Sequence, residues 1–152
     1  MWLAGGKVLR GWARSASGSA AEGLSWIEKG IAEWRANGSM WIVPIFLSIK
    51  GRSFVPCGSY SEALEAIREA EALVVTSEER CWCAELHRLR GVFLAALAAD
   101  DAKIGASFCE AIRIAKEQKS VSLEKRAEAT YAEYRRQKAS GSGGRGFRLP
   151  LW

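Results

Sequence analysis

The feature that most constrains this chain is a repetition. The stretch GSYSEALEAIREAEA, residues 58–72, follows a near-copy of itself by forty residues. Gly18, Glu22, Leu24, Ile27 and Gly30 return as Gly58, Glu62, Leu64, Ile67 and Ala70. The dipeptides ahead of them keep the same step: Arg10-Gly11, Lys50-Gly51 and Arg90-Gly91. A fixed period of about 20–50 residues is written by solenoids, whose single supersecondary unit cannot bury its apolar face alone and must stack on copies of itself. The expectation is an all-α chain of three helix–turn–helix hairpins closed by a seventh, terminal helix.

Apolar spacing places those helices at 2–16, 20–36, 41–56, 60–74, 78–98, 102–119 and 122–138. Leu24, Ile27, Ile31 and Trp34, for example, form one stripe at helical spacing. Residues 41–56 are rich enough in Ile, Val and Phe to suit a buried strand. The repeat decides for helix, with Pro44 accommodated in the first turn. Ser19, Ser59 or Ser61, Asp100 or Asp101, and Ser120 or Ser122 are the expected N-caps. Gly38 is the expected left-handed stop after the second helix, and Gly11 the point where two helices close up.

At 152 residues the chain fits one domain, divided here into a helical repeat domain over 1–139 and a flexible basic tail over 140–152. The tail, SGSGGRGFRLPLW, is too rich in Gly and Ser to fold alone. It is mobile unless Phe147, Leu149, Leu151 and Trp152 dock on something. The formal charge of +5 arises entirely at that end: residues 1–124 carry 15 Lys/Arg against 15 Asp/Glu, and residues 125–152 carry 7 against 2. A basic end can attract nucleic acid or anionic lipid, and it also suits the solvated C-terminus of a helix. The apolar run 41–47 is broken by Pro44 and falls short of the 18–20 residues of a membrane helix. Lys7, Arg10 and Arg14 interrupt any export-signal core. Four Cys without framework spacing fit reduced thiols, so a cytoplasmic location without membrane partners is expected.

No catalytic constellation is visible. The chain has one His, around which no nucleophile–base pair can be assembled, so no enzyme activity is expected. Cys83 and His87 lie four apart on one helix face with Cys81 nearby, which supplies at most three ligands where zinc usually takes four; metal and cofactors are therefore not expected. The glycine-rich stretch 141–146 follows no strand and opens no helix, so it lacks the context of a phosphate-cradling loop. Arg135, Arg136 and Lys138, with Arg145 and Arg148, could grip phosphates; nucleic acid is a secondary expectation.

The hairpins resemble tetratricopeptide (TPR) repeats, which pair a small residue in the first helix with a small–x3–large–x2–small pattern in the second. Gly51 with Ala63, Ile67 and Ala70 follows it, and so does Gly11 with Gly23, Ile27 and Gly30. Gly91 with Ile104, Phe108 and Ala111 follows it loosely. Charged residues precede the small one (Arg10, Lys50, Arg90), and the unit is longer than the usual 34 residues. With phrases such as GLSWIEKGIAEWRANGS and ELHRLRGVFL, the chain is similar to the repeat region at the C-terminus of bacterial multidomain signalling proteins. In those, an adenylate or guanylate cyclase domain and a STAND-type ATPase precede the repeats. The resemblance implies a right-handed solenoid and a non-catalytic protein-interaction or regulatory module, its partner a protein or peptide such as a cyclase or ATPase domain. It also implies a concave groove along the first helices, on which Trp12, Arg52, Glu85 and Arg88 should stand exposed. The alternative is a ligand-sensing or nucleic-acid-binding helical domain using the basic C-terminal helix.

Overall fold

In the computed structural model, which describes residues 2–77, 80–141 and 147–151, the forty-residue step becomes a repeated turn. The helices are α1 (Trp2–Ala16), α2 (Ala20–Ala36), α3 (Val43–Ser53), α4 (Tyr60–Ser77), α5 (Cys83–Ala96), α6 (Asp101–Glu117) and α7 (Val121–Ala139), with a 3-10 turn at Val55–Cys57. The described residues contain no strand. The end of each odd helix repeats the same hydrogen bonds. Ser19, Ser59 and Ala99 donate their N–H to the carbonyls five residues back, Arg14, Phe54 and Leu94, at 3.0, 3.3 and 3.0 Å. The residues before them, Gly18, Gly58 and Ala98, are left-handed, with φ of +100°, +69° and +52°. This is the Schellman closure, in which a left-handed residue turns the chain so that a 6→1 bond satisfies an orphan carbonyl. In the third turn Ala98 holds the place that glycine holds in the other two.

The small residues also do what their spacing suggests. A Cβ on Gly11 of α1 would meet the Gly23 carbonyl of α2 and lie 2.7 Å from the Ile27 Cγ1. One on Gly30 would lie 2.6 Å from Val8 Cγ2. Atoms cannot approach so closely, so α1 and α2 are held at a distance only glycine permits. In the third hairpin a Cβ on Gly91 would lie 2.9 Å from the Phe108 ring. The large residue of each pattern, Ile27, Ile67 and Phe108, is wholly buried.

The chain divides into two compact units, Met1–Glu79 and Arg80–Trp152, where the sequence suggests one domain over 1–139 and a separate tail. In the first unit α1 packs on α2 and α3 on α4, while α3 also meets α1 and α2. Ion pairs tie these helices at the surface: Lys50 with Glu28 at 3.0 Å, and Arg35 with Glu69. In the second unit α5 packs on α6, and α7 lies against both. The tail residues 140, 141 and 147–151 belong to this second unit.

Two helices are shorter than their apolar patterns. The span 41–56 becomes α3 from Val43, because Pro44 has no N–H to give and fits only at the helix start. Its end breaks into the 3-10 turn at Pro56. The span 78–98 becomes α5 from Cys83; residues 78 and 79 lie outside the described residues. Residues 80–82 form a turn in which Cys83 N–H bonds the Arg80 carbonyl at 3.1 Å. Ser19, Asp100 and Ser120 stand at N-cap positions, but their side chains make no capping bond.

Candidate functional site

The second unit contains a fully buried guanidinium. Arg88, on α5, is 0% exposed and Glu85, one turn earlier, 4% exposed. Arg88 meets Glu85 through two parallel bonds, Nε to Oε2 at 2.9 Å and Nη2 to Oε1 at 2.8 Å. Its Nη1 donates to Thr130 Oγ1 of α7 at 3.2 Å. The remaining two N–H groups go to main-chain carbonyls of the C-terminal segment, Pro150 at 2.7 Å and Leu151 at 2.9 Å. An arginine has five N–H donors in a rigid fork, and here all five have acceptors. Thr130, itself buried, is fixed by donating to the Arg126 carbonyl at 2.8 Å. Arg126 Nη1 adds a second cation 3.6 Å from Glu85.

A second grip lies two turns further along α7. Gln137 Nε2 donates to the Arg148 carbonyl at 2.8 Å, and Arg148 N–H donates back to Gln137 Oε1 at 2.9 Å. The side-chain amide thus pairs with one peptide unit as a neighbouring strand would. Gln137 is held in turn by Glu133, to which Nε2 also donates at 2.6 Å. Glu133 receives a bidentate bond from Arg136. The Arg136 guanidinium first, and the Gln137 amide second, pull the Glu133 carboxyl down from the ordinary 4.5 to about 2.

Between the two grips runs a line of rings. Phe108 stacks on Tyr131 at 5.2 Å between centroids, Tyr131 on Tyr134 at 6.4 Å, and Tyr134 meets Phe147 of the tail at 4.7 Å. Burial, and then its hydrogen bond to Asp101, push the Tyr134 hydroxyl above its usual range. Asp101 is held below its usual range by Lys138 and by that hydroxyl. Because Phe147 and Arg148 lie against residues 134 and 137 and Pro150 against 130, the tail runs antiparallel to α7.

The arrangement reads main chain. Four of its bonds, two from Arg88 and two with Gln137, go to carbonyl or amide groups that any peptide carries. It offers no hydroxyl or thiol beside a base, and no group of three or more His, Cys, Asp or Glu among the described residues could hold a metal ion. Cys83 and His87 both stand half-buried on α5.

The four residues expected along an open groove are differently placed. Trp12 is on α1, 37% exposed. Arg52 is on α3, half-buried, with Nη2 on Ser48 Oγ at 3.2 Å. Both belong to the first unit. Glu85 and Arg88 come together in the second, but buried rather than exposed, since Thr130 and the tail carbonyls close over them. Gln137, Thr130 and Tyr134 were not among the expected residues. A polar Thr on the apolar face of α7 was the available signal for a buried donor to satisfy. In the first unit, Arg10 lies over the Trp26 ring, 4.8 Å from its centroid, beside an open cleft of about 530 Å³ that Leu3, Lys7 and Glu33 also line.

No family model and no solved structure matches the chain. A protein of Rhizobium meliloti (strain 1021), described as uncharacterized, is 27% identical over 126 residues, covering 83% of this chain and 12% of its own length. The chain therefore spans about an eighth of that relative. No described helix is long and apolar enough to cross a membrane.

Proposed function

We propose that the chain is a non-catalytic protein-interaction and regulatory module, a TPR-like right-handed helical-repeat solenoid working in the cytoplasm as part of a cyclase/ATPase-type signalling system. The observation that carries this reading is the hold of the second unit on a peptide main chain, with Arg88 and Gln137 each supplying two bonds to a non-helical segment. The recurrence of one Schellman closure at residues 18, 58 and 98, with glycine-close packing in the hairpins, supports the TPR-like architecture. The match to a region making up a small part of a much longer relative fits a module that serves other domains.

Nucleic acid is the weaker reading, because much of the basic charge near the C-terminus is already engaged. Arg136 pairs with Glu133, Lys138 with Asp101, and Lys116 lies 3.7 and 3.6 Å from Glu124 and Glu128. Calorimetric titration against cyclase and ATPase domains encoded by the same genome tests the proposal. Saturable binding that changes little with salt is expected. Binding to duplex or single-stranded nucleic acid, falling steeply with added salt, with no binding to either domain, would refute it.

A further inference from the structure

We propose that the α5/α7 face carrying Arg88, Thr130, Tyr134 and Gln137 is a docking groove for a non-helical segment of a partner protein, with an aromatic residue three positions before a proline, and that residues 147–151 of this chain are its resident pseudo-ligand. The inference rests on the protein-interaction reading and names the face and the chemistry of what it binds.

The argument begins with what the face recognises. Arg88 donates to two carbonyls, and Gln137 pairs with one peptide unit's N–H and C=O. None of these bonds depends on which chain supplies the backbone. The Pro150 carbonyl alone is used, so proline, which has no N–H to leave unsatisfied, fits that position without cost. The one ring–ring contact, Phe147 on Tyr134, sets an aromatic requirement three residues earlier.

The fork of Arg88 is organised before any segment arrives. Glu85 and Thr130 fix three of its N–H groups from within α5 and α7. The other two are left aimed at the tail. A donor pair held in place by its own helices loses little freedom on binding, which favours affinity. Removing the tail leaves two N–H groups of a buried cation without their carbonyl acceptors, so the face favours re-occupation by a segment of the same form. If the tail were packed there for stability alone, a peptide added in trans would find no site.

The test uses the full-length chain and a fluorescein-labelled peptide GFRLPLW, the sequence of residues 146–152. Phe147→Ala in the protein removes the ring contact of the resident tail and leaves every helix residue unchanged. Fluorescence anisotropy is expected to show the variant binding the peptide at least tenfold more tightly than the wild type. Adding Gln137→Ala to that variant should weaken binding about tenfold, and a peptide with Ala in place of its Phe should bind worst. Equal binding by wild type and Phe147→Ala, or binding by neither, overturns the groove. A concentration-dependent dimer in sedimentation, with tails exchanged between copies, overturns the assignment of a foreign partner. Should the peptide fail while the cyclase or ATPase domains bind, the interaction module stands and only this face is lost.

Discussion

Gln137 and Arg148 are joined by two opposed hydrogen bonds, side-chain amide to peptide unit, at 2.8 and 2.9 Å. Eleven residues separate them in sequence, with the glycine-rich stretch between. The pair makes the Arg148 amide a reporter of the docked tail. In Gln137→Ala that amide should exchange with solvent at least tenfold faster than in the wild type, while amides in α5 and α6 keep their protection. Unchanged Arg148 exchange would mean that the amide pairing does not hold the tail.

The buried Arg88–Glu85 pair predicts a non-additive response. Removing one partner of a buried ion pair leaves an uncompensated charge and costs about 3–5 kcal/mol. Arg88→Met and Glu85→Gln are each expected to lower stability on that scale in urea unfolding. The double variant should lose less than the two singles combined, since contacting residues couple by about 0.5–3 kcal/mol. Strict additivity would show that the two side chains act independently.

Much of the fold is legible in the sequence because it is local. Gly18, Gly38 and Gly58 announce left-handed closures, and Gly11 and Gly23 a close helix pair, through what glycine alone can do. The tail is legible as a condition: Phe147 and Leu151 are apolar enough to dock, and they do dock where Tyr134 and Arg88 receive them. Other features were not legible because they are made by residues distant in sequence. Alternating charges at Glu85 and Arg88 look like a solvated helix face. They become buried only because Thr130, 42 residues on, and Pro150, 62 residues on, supply acceptors. The start of α5 was misplaced for a related reason. Trp82 and Cys81 continue an apolar pattern, but the chain turns there before the helix begins.

Two glycines of α1 should respond oppositely to alanine. A Cβ on Gly6 has nothing within 4 Å, whereas one on Gly11 meets the Gly23 carbonyl and Ile27. Gly6→Ala should stabilise by about 0.5–1 kcal/mol through lost chain entropy. Gly11→Ala should destabilise by roughly 1–3 kcal/mol through overpacking. Thermal melts of the two variants check both signs. A stabilising Gly11→Ala would contradict the close approach of α1 and α2.

Ala98 occupies, at φ +52°, a conformation that its repeat counterparts meet with glycine. A side chain there costs about 1–2 kcal/mol, partly offset by the greater chain entropy glycine loses on folding. Ala98→Gly should therefore raise the stability of the second unit by about 1 kcal/mol, read as an upward shift in its melting temperature. A lowered melting temperature would show that the third turn does not share the closure.

Glu133 gives the tail a pH dependence. Its carboxyl is depressed from 4.5 to about 2 in the folded chain. Its stabilising effect is therefore full above pH 4.5 and lost as the pH falls through about 2. Asp101, also lowered, acts in the same direction. Protection of the Arg148 amide should decline across that window, because a protonated Glu133 holds Gln137 and Arg136 less firmly. Glu133→Gln should flatten the decline; a profile identical to wild type would remove Glu133 from the account.

The central claim is that the C-terminal segment lies along α7 with its backbone in the grip of Arg88 and Gln137. The most direct measurement is a nuclear Overhauser spectrum of the full-length chain in solution at neutral pH. The Phe147 and Tyr134 rings, with centroids 4.7 Å apart, should give strong cross-peaks, accompanied by slowly exchanging Arg88 guanidinium protons. Absence of any Phe147–Tyr134 cross-peak, with Phe147 and Leu151 at random-coil shifts, would contradict the account.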